Sequence, residues 1–421
     1  MRPHLVSATA MSFMAVAATL AATAGPASAY TFGPTVQQVG PEQTVFDWNT
    51  MRCNDNFAAD SPARAWKDSA NQVHLTLSSN ATYAMVGSSL NTVAVDCAHT
   101  LLTSGFNADP STYDDQEWPF AVYTADGTKA FALIHEEYHG WEHQGQCSTQ
   151  GRPSRPKLST IPAEGFNPGC WYNSITVATS TDKGYSFTHV TPPAQLLASV
   201  PYVYAESNAA YGYFEPSNIV KKSDGYFYFV FRAETYGAQQ IGVCEARSKT
   251  PTNPASWRAW DGTGFNVQFI DPYTNPGPPE SHVCAPIQHE NIEKMVESLT
   301  YNTYFRKYLL LGNTQAYDPV RQEWVYGFYY STSSDLLNWS PRTLLLEIPL
   351  LWNYECGGEE PGLYPTVINP GSTDRNFGTT GQTTYLYFTR FHHDQGCVQT
   401  WQMDLIRIPI KFLGPPSATS P

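Results

Sequence analysis

Three segments of this chain repeat one order of features: an acidic residue, a proline within two positions, a short apolar run, a turn, and a second apolar run. Asp60-Ser61-Pro62 leads into 63–66, with a turn at Asn71 and 73–77 beyond. Glu117-Trp118-Pro119 leads into 120–123, with Asp126-Gly127 and then 130–134. Glu215-Pro216 leads into 219–220, with Asp224-Gly225 and then 226–231. Proline has no N–H for a sheet ladder and so marks a strand's start, while Asp-Gly and Asn adopt the tight turns of hairpins. A weaker copy begins at Glu360-Pro361 and runs to Ile368, with Gly381 before 385–389; between the third and this copy, 299–304, 308–312 and 325–331 form one more unit. Short-strand units repeating every ~40 to 75 residues bury their faces by stacking on one another around an axis. The repeat predicts an all-β chain folded as a single five-bladed β-propeller over residues 50–412, with an N-terminal segment at 30–49 before it and a flexible tail at 413–421.

Composition agrees with a folded chain of this kind. Hydrophobic residues make up 42% of the 421 and aromatics 14%, which supports a large core. The formal charge of -13 provides nothing to neutralise phosphates, so nucleic acid and anionic membrane surfaces are excluded as partners and a neutral or basic ligand fits better. Residues 1–29 read as a signal peptide: Arg2, an apolar run at 11–22, and Ala27-Ser28-Ala29 as the cleavage site. A secreted, extracellular monomer is expected, since no later apolar run reaches the roughly 18 to 20 residues of a membrane span.

In an oxidising compartment the eight cysteines form an even set, which predicts four disulfides. Pairing of sequence neighbours, Cys53 with Cys97, Cys147 with Cys170, Cys244 with Cys284 and Cys356 with Cys397, keeps each bridge within one blade or its loop. Two turns add support. Ser180-Thr181-Asp182-Lys183-Gly184-Tyr185-Ser186-Phe187 and Ser333-Ser334-Asp335-Leu336-Leu337-Asn338-Trp339 each place an Asp to cap a tight turn and an aromatic to pack between blades.

In such a ring the starts of the innermost strands gather with the ends of the second strands around the central opening, where a ligand pocket forms. The starts carry Asp60, Glu117 and Glu215, candidate catalytic carboxylates. Converging carboxylates push one another's pKa values apart, which yields the base and the protonated acid that glycoside hydrolysis uses. His135, Glu136, Arg232, Asn313 and Arg390 end second strands, and Glu360 starts the last unit; these are candidate substrate-binding residues. No cofactor or catalytic metal is expected, and a structural ion in the central channel is left open.

The residues also resemble a known family. Glu215-Pro216-Ser217-Asn218-Ile219-Val220-Lys221-Lys222-Ser223-Asp224-Gly225-Tyr226-Phe227-Tyr228 is similar to the stretch that bears the general acid in family 43 glycoside hydrolases, five-bladed propellers whose members cleave arabinofuranosides and xylosides. Asp60-Ser61-Pro62 resembles the segment that bears their general base. The resemblance implies that Glu215 protonates the leaving oxygen, that Asp60 activates water, and that the product is inverted. It also implies an oligo- or polysaccharide substrate. The third carboxylate, which orients the acid, falls on Glu117, with Asp114 and Asp115 as alternatives.

Two other classes compete. His135-Glu136-Glu137-Tyr138-His139 is an H-E-x-x-H sequence, which on a helix binds zinc in a metalloprotease. Here 130–134 reads as a strand ending at His135, with His139 in the loop beyond; residues four apart on a strand stand about 13 Å apart. A carbohydrate-binding propeller without catalysis is the other, with Trp118, Tyr138, Trp141 and Trp352 as sugar-stacking candidates.

Overall fold

In the computed structural model residues 30–148 and 169–414 are described; the expected leader at 1–29, most of the loop between Cys147 and Cys170, and the end of the tail lie outside the described residues. The regular structure of the described chain is almost entirely strand, and its α-helices, Trp48–Met51 and His289–Ile292, are single turns. No helix is long and apolar enough to cross a membrane.

Strands pair in chain order into four hydrogen-bonded sheets. The first is the meander Arg64–Lys67, Val73–Leu77, Ala81–Gly87 and Ala94–Thr103. The second has eleven strands and two halves. Gln116–Thr124, Ala130–His139 and Trp171–Ser180 lead, and Tyr211–Phe214, Phe227–Glu234, Gly242–Ser248, Arg258–Trp260 and Phe265–Val267 trail. Among the described residues a short parallel pairing, Tyr172 with Tyr211 and Asn173 with Gly212, joins the halves. The third sheet contains Ser298–Asn302, Lys307–Asp318, Glu323–Ser333 and Thr343–Glu347. The fourth contains Gly362–Ile368, Thr383–His393 and Gln399–Phe412.

Apolar clusters lie between successive layers and close a cycle. Trp66 and Leu101 of the first sheet pack with Ala132 and Ile134 of the second. Leu133 and Ile175 pack with Phe229 and Phe231 across the two halves. Val230 and Val243 pack with Leu299 and Leu310 of the third sheet. Leu309 and Leu311 then share a cluster with Leu386 of the fourth sheet and with Leu75 and Leu77 of the first, so the last layer packs on the first. This cyclic stacking of antiparallel meanders is a β-propeller.

One boundary differs from the sequence expectation. The segment at 30–49 does not precede the propeller but belongs to it: Gln43–Phe46 and Val36–Gln38 pair with Gln399–Phe412, and Thr31–Phe32 with Thr343–Glu347. The physical reason is edge protection. A last strand of fourteen residues would otherwise leave its N–H and C=O groups unpaired.

The disulfides join Cys53 to Cys97, Cys147 to Cys170, Cys244 to Cys284 and Cys356 to Cys397, with Cα–Cα separations of 5.4, 5.8, 6.0 and 5.6 Å, so sequence neighbours do pair. Both Asp turns form as expected. Asp182 accepts from the Ser186 amide at 3.0 Å, and Gly184, at φ +91, packs so closely on Trp66 that a Cβ would lie 2.8 Å from its ring. Asp335 accepts from the Leu337 and Asn338 amides at 3.0 and 2.8 Å, and Trp339 is buried beneath.

Where the innermost strands converge, the fully buried Arg64 ties the layers together. Its Nε donates to the Phe120 carbonyl at 2.7 Å, Nη2 to the Glu297 carbonyl at 2.6 Å, and Nη1 to Thr366 Oγ1 at 3.2 Å. Burial pushes its pKa down to about 9, while the charge of Glu297 raises it. Arg64→Met keeps the bulk but strands these acceptors, each at about 1–3 kcal/mol. The expected result is a loss of at least about 3 kcal/mol in urea unfolding; a loss under about 1 kcal/mol contradicts the tie.

Candidate active site

A pocket of about 60 Å³ opens beside this convergence. Asp60, Glu137 and Glu215 bring three carboxylates to its wall, Arg232 and His135 add polar groups, and Trp118, Phe120, Trp171, Phe214 and Tyr364 line the rest. Local chain geometry explains each placement. Asp60 enters the first inner strand and its amide donates to the Ser78 carbonyl at 3.0 Å. Glu215 follows Tyr211–Phe214 at φ +51, a left-handed turn that points the carboxylate away from the strand's path. Tyr364 also sits left-handed, at φ +60, at a bulge in Gly362–Ile368. Asn313 holds it there by accepting from its amide at 3.3 Å, and the Tyr364 hydroxyl donates to Asp60 Oδ1 at 3.2 Å.

The electrostatics centre on Asp60. Burial, then the charges of Glu137 and Glu215, push its pKa up to about 7, against the hydrogen bond from Tyr364. Arg232 stands 3.4 Å from Glu215 and 3.7 Å from Glu234, with its guanidinium 4.5 Å over the Phe214 ring. The raised carboxyl is thus Asp60, and a cation stands beside Glu215.

Glu137 lies between two histidines on its own strand, 3.4 Å from His135 Nδ1 and 2.8 Å from His139 Nε2. Burial keeps His135 below its ordinary value. His139 resists burial and is raised to about 9 by its bonds to Glu137 and Glu142. Behind the wall, Glu297 is raised by burial and by the charge of Glu215.

Of the residues singled out in the sequence, Asp60, Glu215, His135 and Arg232 line the pocket, and Asn313 supports it from behind. Four others stand elsewhere. Glu117 and Glu136 pair across Gln116–Thr124 and Ala130–His139, on the face opposite Trp118 and His135. Side chains alternate along a strand, so a one-position difference moves each to the other face. There Glu117 meets His189 at 2.6 Å, and Glu136 accepts from Ser174. Of the alternatives, Asp115 pairs with His143 at 2.9 Å, and neither it nor Asp114 lines the pocket. Glu360 pairs with His393 at 2.9 Å. Arg390 forms a bidentate pair with Glu42 at 2.9 and 2.8 Å, a partner supplied by the N-terminal segment.

The H-E-x-x-H residues lie on a strand that runs through His139 rather than stopping at His135, so His139 is not in a loop. His135 Nε2 faces Asn173 Oδ1 at 3.0 Å, and His139 faces Glu137. Among the described residues, the group of metal-type side chains drawn together is Cys147, Cys170 and Glu206, and its cysteines are joined to each other. The sequence reading missed Glu137 and Tyr364. Glu137 carried a usable signal: two positions beyond His135, it shares that residue's face.

No protein-family model matches the chain, and no curated protein matches it. Solved structures do. A thermostable family-43 glycoside hydrolase matches at 11% identity over 87% of this chain and 95% of its own, with a TM-score of 0.39. The α-L-arabinanase of Cellvibrio cellulosa matches at 10% identity over 83% and 91%, with a TM-score of 0.39. A glycosyl hydrolase from Bacteroides ovatus matches at 11% over 90% and 94%, with a TM-score of 0.42.

The contacts of Asp60 predict opposite responses to two changes. Glu137→Gln removes a raising charge and lowers the Asp60 pKa from about 7. Tyr364→Phe removes a lowering hydrogen bond and raises it. Carboxyl-carbon NMR titration of labelled aspartate checks both, and shifts of the same sign contradict this environment.

Proposed function

We propose that the chain is a secreted glycoside hydrolase in which Asp60 and Glu215 are the catalytic carboxylates, acting on a neutral oligo- or polysaccharide. The observation that carries the reading is the meeting of two acids, from segments far apart in the sequence, in one aromatic-walled pocket, with one of them perturbed to near neutrality. A pKa near the working pH suits proton transfer, and aromatic walls suit the apolar faces of sugar rings. Counting the halves of the eleven-stranded sheet as two blades gives a five-bladed propeller. The leader and the disulfides support secretion.

On the roles the resemblance implies, Asp60 deprotonates a water and Glu215 protonates the departing oxygen, with inversion. Glu137, which lines the pocket where Glu117 does not, is the third carboxylate, and its charge acts on Asp60. A second assignment has a specific observation behind it: Asp60 carries the raised pKa while Arg232 sits beside Glu215, which favours Asp60 as the donor.

The two assignments separate by pH and by leaving group. With Asp60 as base, kcat/KM rises as pH increases through about 7; with Asp60 as acid, it falls there. With Glu215 as acid, Glu215→Gln cripples substrates with poor leaving groups far more than activated aryl glycosides, whereas Asp60→Asn costs both about 10²- to 10⁴-fold. The reverse pattern supports the second assignment. Equal losses for both variants on both substrate classes contradict acid–base division between the two residues.

A further inference from the structure

Resting on the hydrolase reading, we infer that the hairpin tip bearing Tyr317 and Trp324 is a distal platform on which an uncharged polysaccharide chain stacks as it leaves the pocket. Lys307–Asp318 borders the pocket wall at Asn313, whose amide donates to Glu297 and whose side chain holds Tyr364. The strand continues five residues to Asp318, a reach of about 16 Å past the wall, and returns through Glu323–Ser333. Tyr317 and Trp324 pair directly across this extension, with ring centroids 5.7 Å apart.

Exposure sets this pair apart. Tyr317 is 50% exposed and Trp324 55%, and Val320 at the turn is 90% exposed. Among the described residues it is the ring pair in which both members are at least half exposed. The tip is also braced. Asp318 accepts from the Val320 and Arg321 amides, and Arg321 grips Glu347 through two bonds of 2.7 and 2.8 Å. A rigid aromatic pair loses little entropy when a ligand stacks on it.

Direction and charge choose the occupant. Tyr317 shares a strand face with Leu309 and Leu311, which pack against the fourth sheet, and with Asn313, which holds Tyr364 of the pocket wall, so it stands on the side of the hairpin turned toward that sheet. The pocket, at about 60 Å³, is smaller than an ordinary ligand site and leaves the rest of a polymer on the rim. Asp318, Glu323 and Glu347 outnumber Arg321, which pairs with both glutamates, so the tip carries net negative charge and disfavours an anionic chain.

The test compares the wild-type protein with the Tyr317→Ala/Trp324→Ala double variant and with Trp324→Tyr, each first checked for unchanged circular dichroism. Affinity electrophoresis in gels carrying arabinan, xylan or galactan reads binding without requiring catalysis. The ratio of kcat/KM on polymer to that on an aryl glycoside reads it during turnover. The platform predicts retardation of the wild type and of Trp324→Tyr that is lost in the double variant, and a ratio lowered at least about fivefold, mainly through KM. Retardation and ratio that do not change between wild type and double variant overturn it, as does a wild type retarded by none of the polymers. Loss of a wild-type dimer in the double variant without any polymer effect also overturns it, by marking a protein contact. If no glycoside is hydrolysed, the hydrolase reading falls while retardation still decides the platform.

Discussion

The buried guanidinium of Arg64 is the contact on which the rest of the arrangement depends. One side chain of the first sheet binds the second sheet at Phe120, the third at Glu297 and the fourth at Thr366. Each layer is an antiparallel meander that would close on its own, but the pocket needs their inner ends in fixed register. The planar, multidentate donor set of arginine can span several acceptors at once, and a lysine cannot reproduce it. Pairing of Gln43–Phe46 with Gln399–Phe412 then closes the ring from its edge. Together these contacts bring Asp60 within hydrogen-bond reach of Tyr364, across the seam between the first and last sheets.

The chemistry of the pocket follows from crowding. Asp60, Glu137 and Glu215 share its wall, with Glu297 close behind, and Arg232 and His139 are the nearby cations. Such a group does not hold all its negative charges in a half-buried site, so protons distribute among its members. Burial decides the distribution here: Asp60 and Glu297 are raised. The site therefore sets one carboxyl raised toward neutrality and another beside a cation, two different electrostatic surroundings within one pocket.

Much of this was legible in the sequence, and the limits have physical causes. The acid–proline–strand–turn repeat marked the inner strands because proline and Asp-Gly act locally, and Asp60 and Glu215 came with it. The Asp turns were legible for the same reason. Glu117 and Glu136 were misplaced because a strand buried on both faces shows no alternation of polarity, so nothing local says which face an acid takes. Their neighbours Trp118, His135 and Glu137 face the pocket instead. Arg390 was read as a rim residue because its partner Glu42 lies in a segment without repeat character. Arg64 and Tyr364 left no signal, since their roles exist only once distant layers meet. The raised pKa at Asp60 is likewise a property of the assembled site.

The most direct test of the central claim is proton NMR of the products formed from aryl furanosides and arabinan by the wild type and by Asp60→Asn/Glu215→Gln. The account predicts that the wild type releases sugar whose first-formed anomer is inverted, and that the double variant releases none above the buffer rate. Release that persists in the double variant, or no release by the wild type from any glycoside, would contradict it.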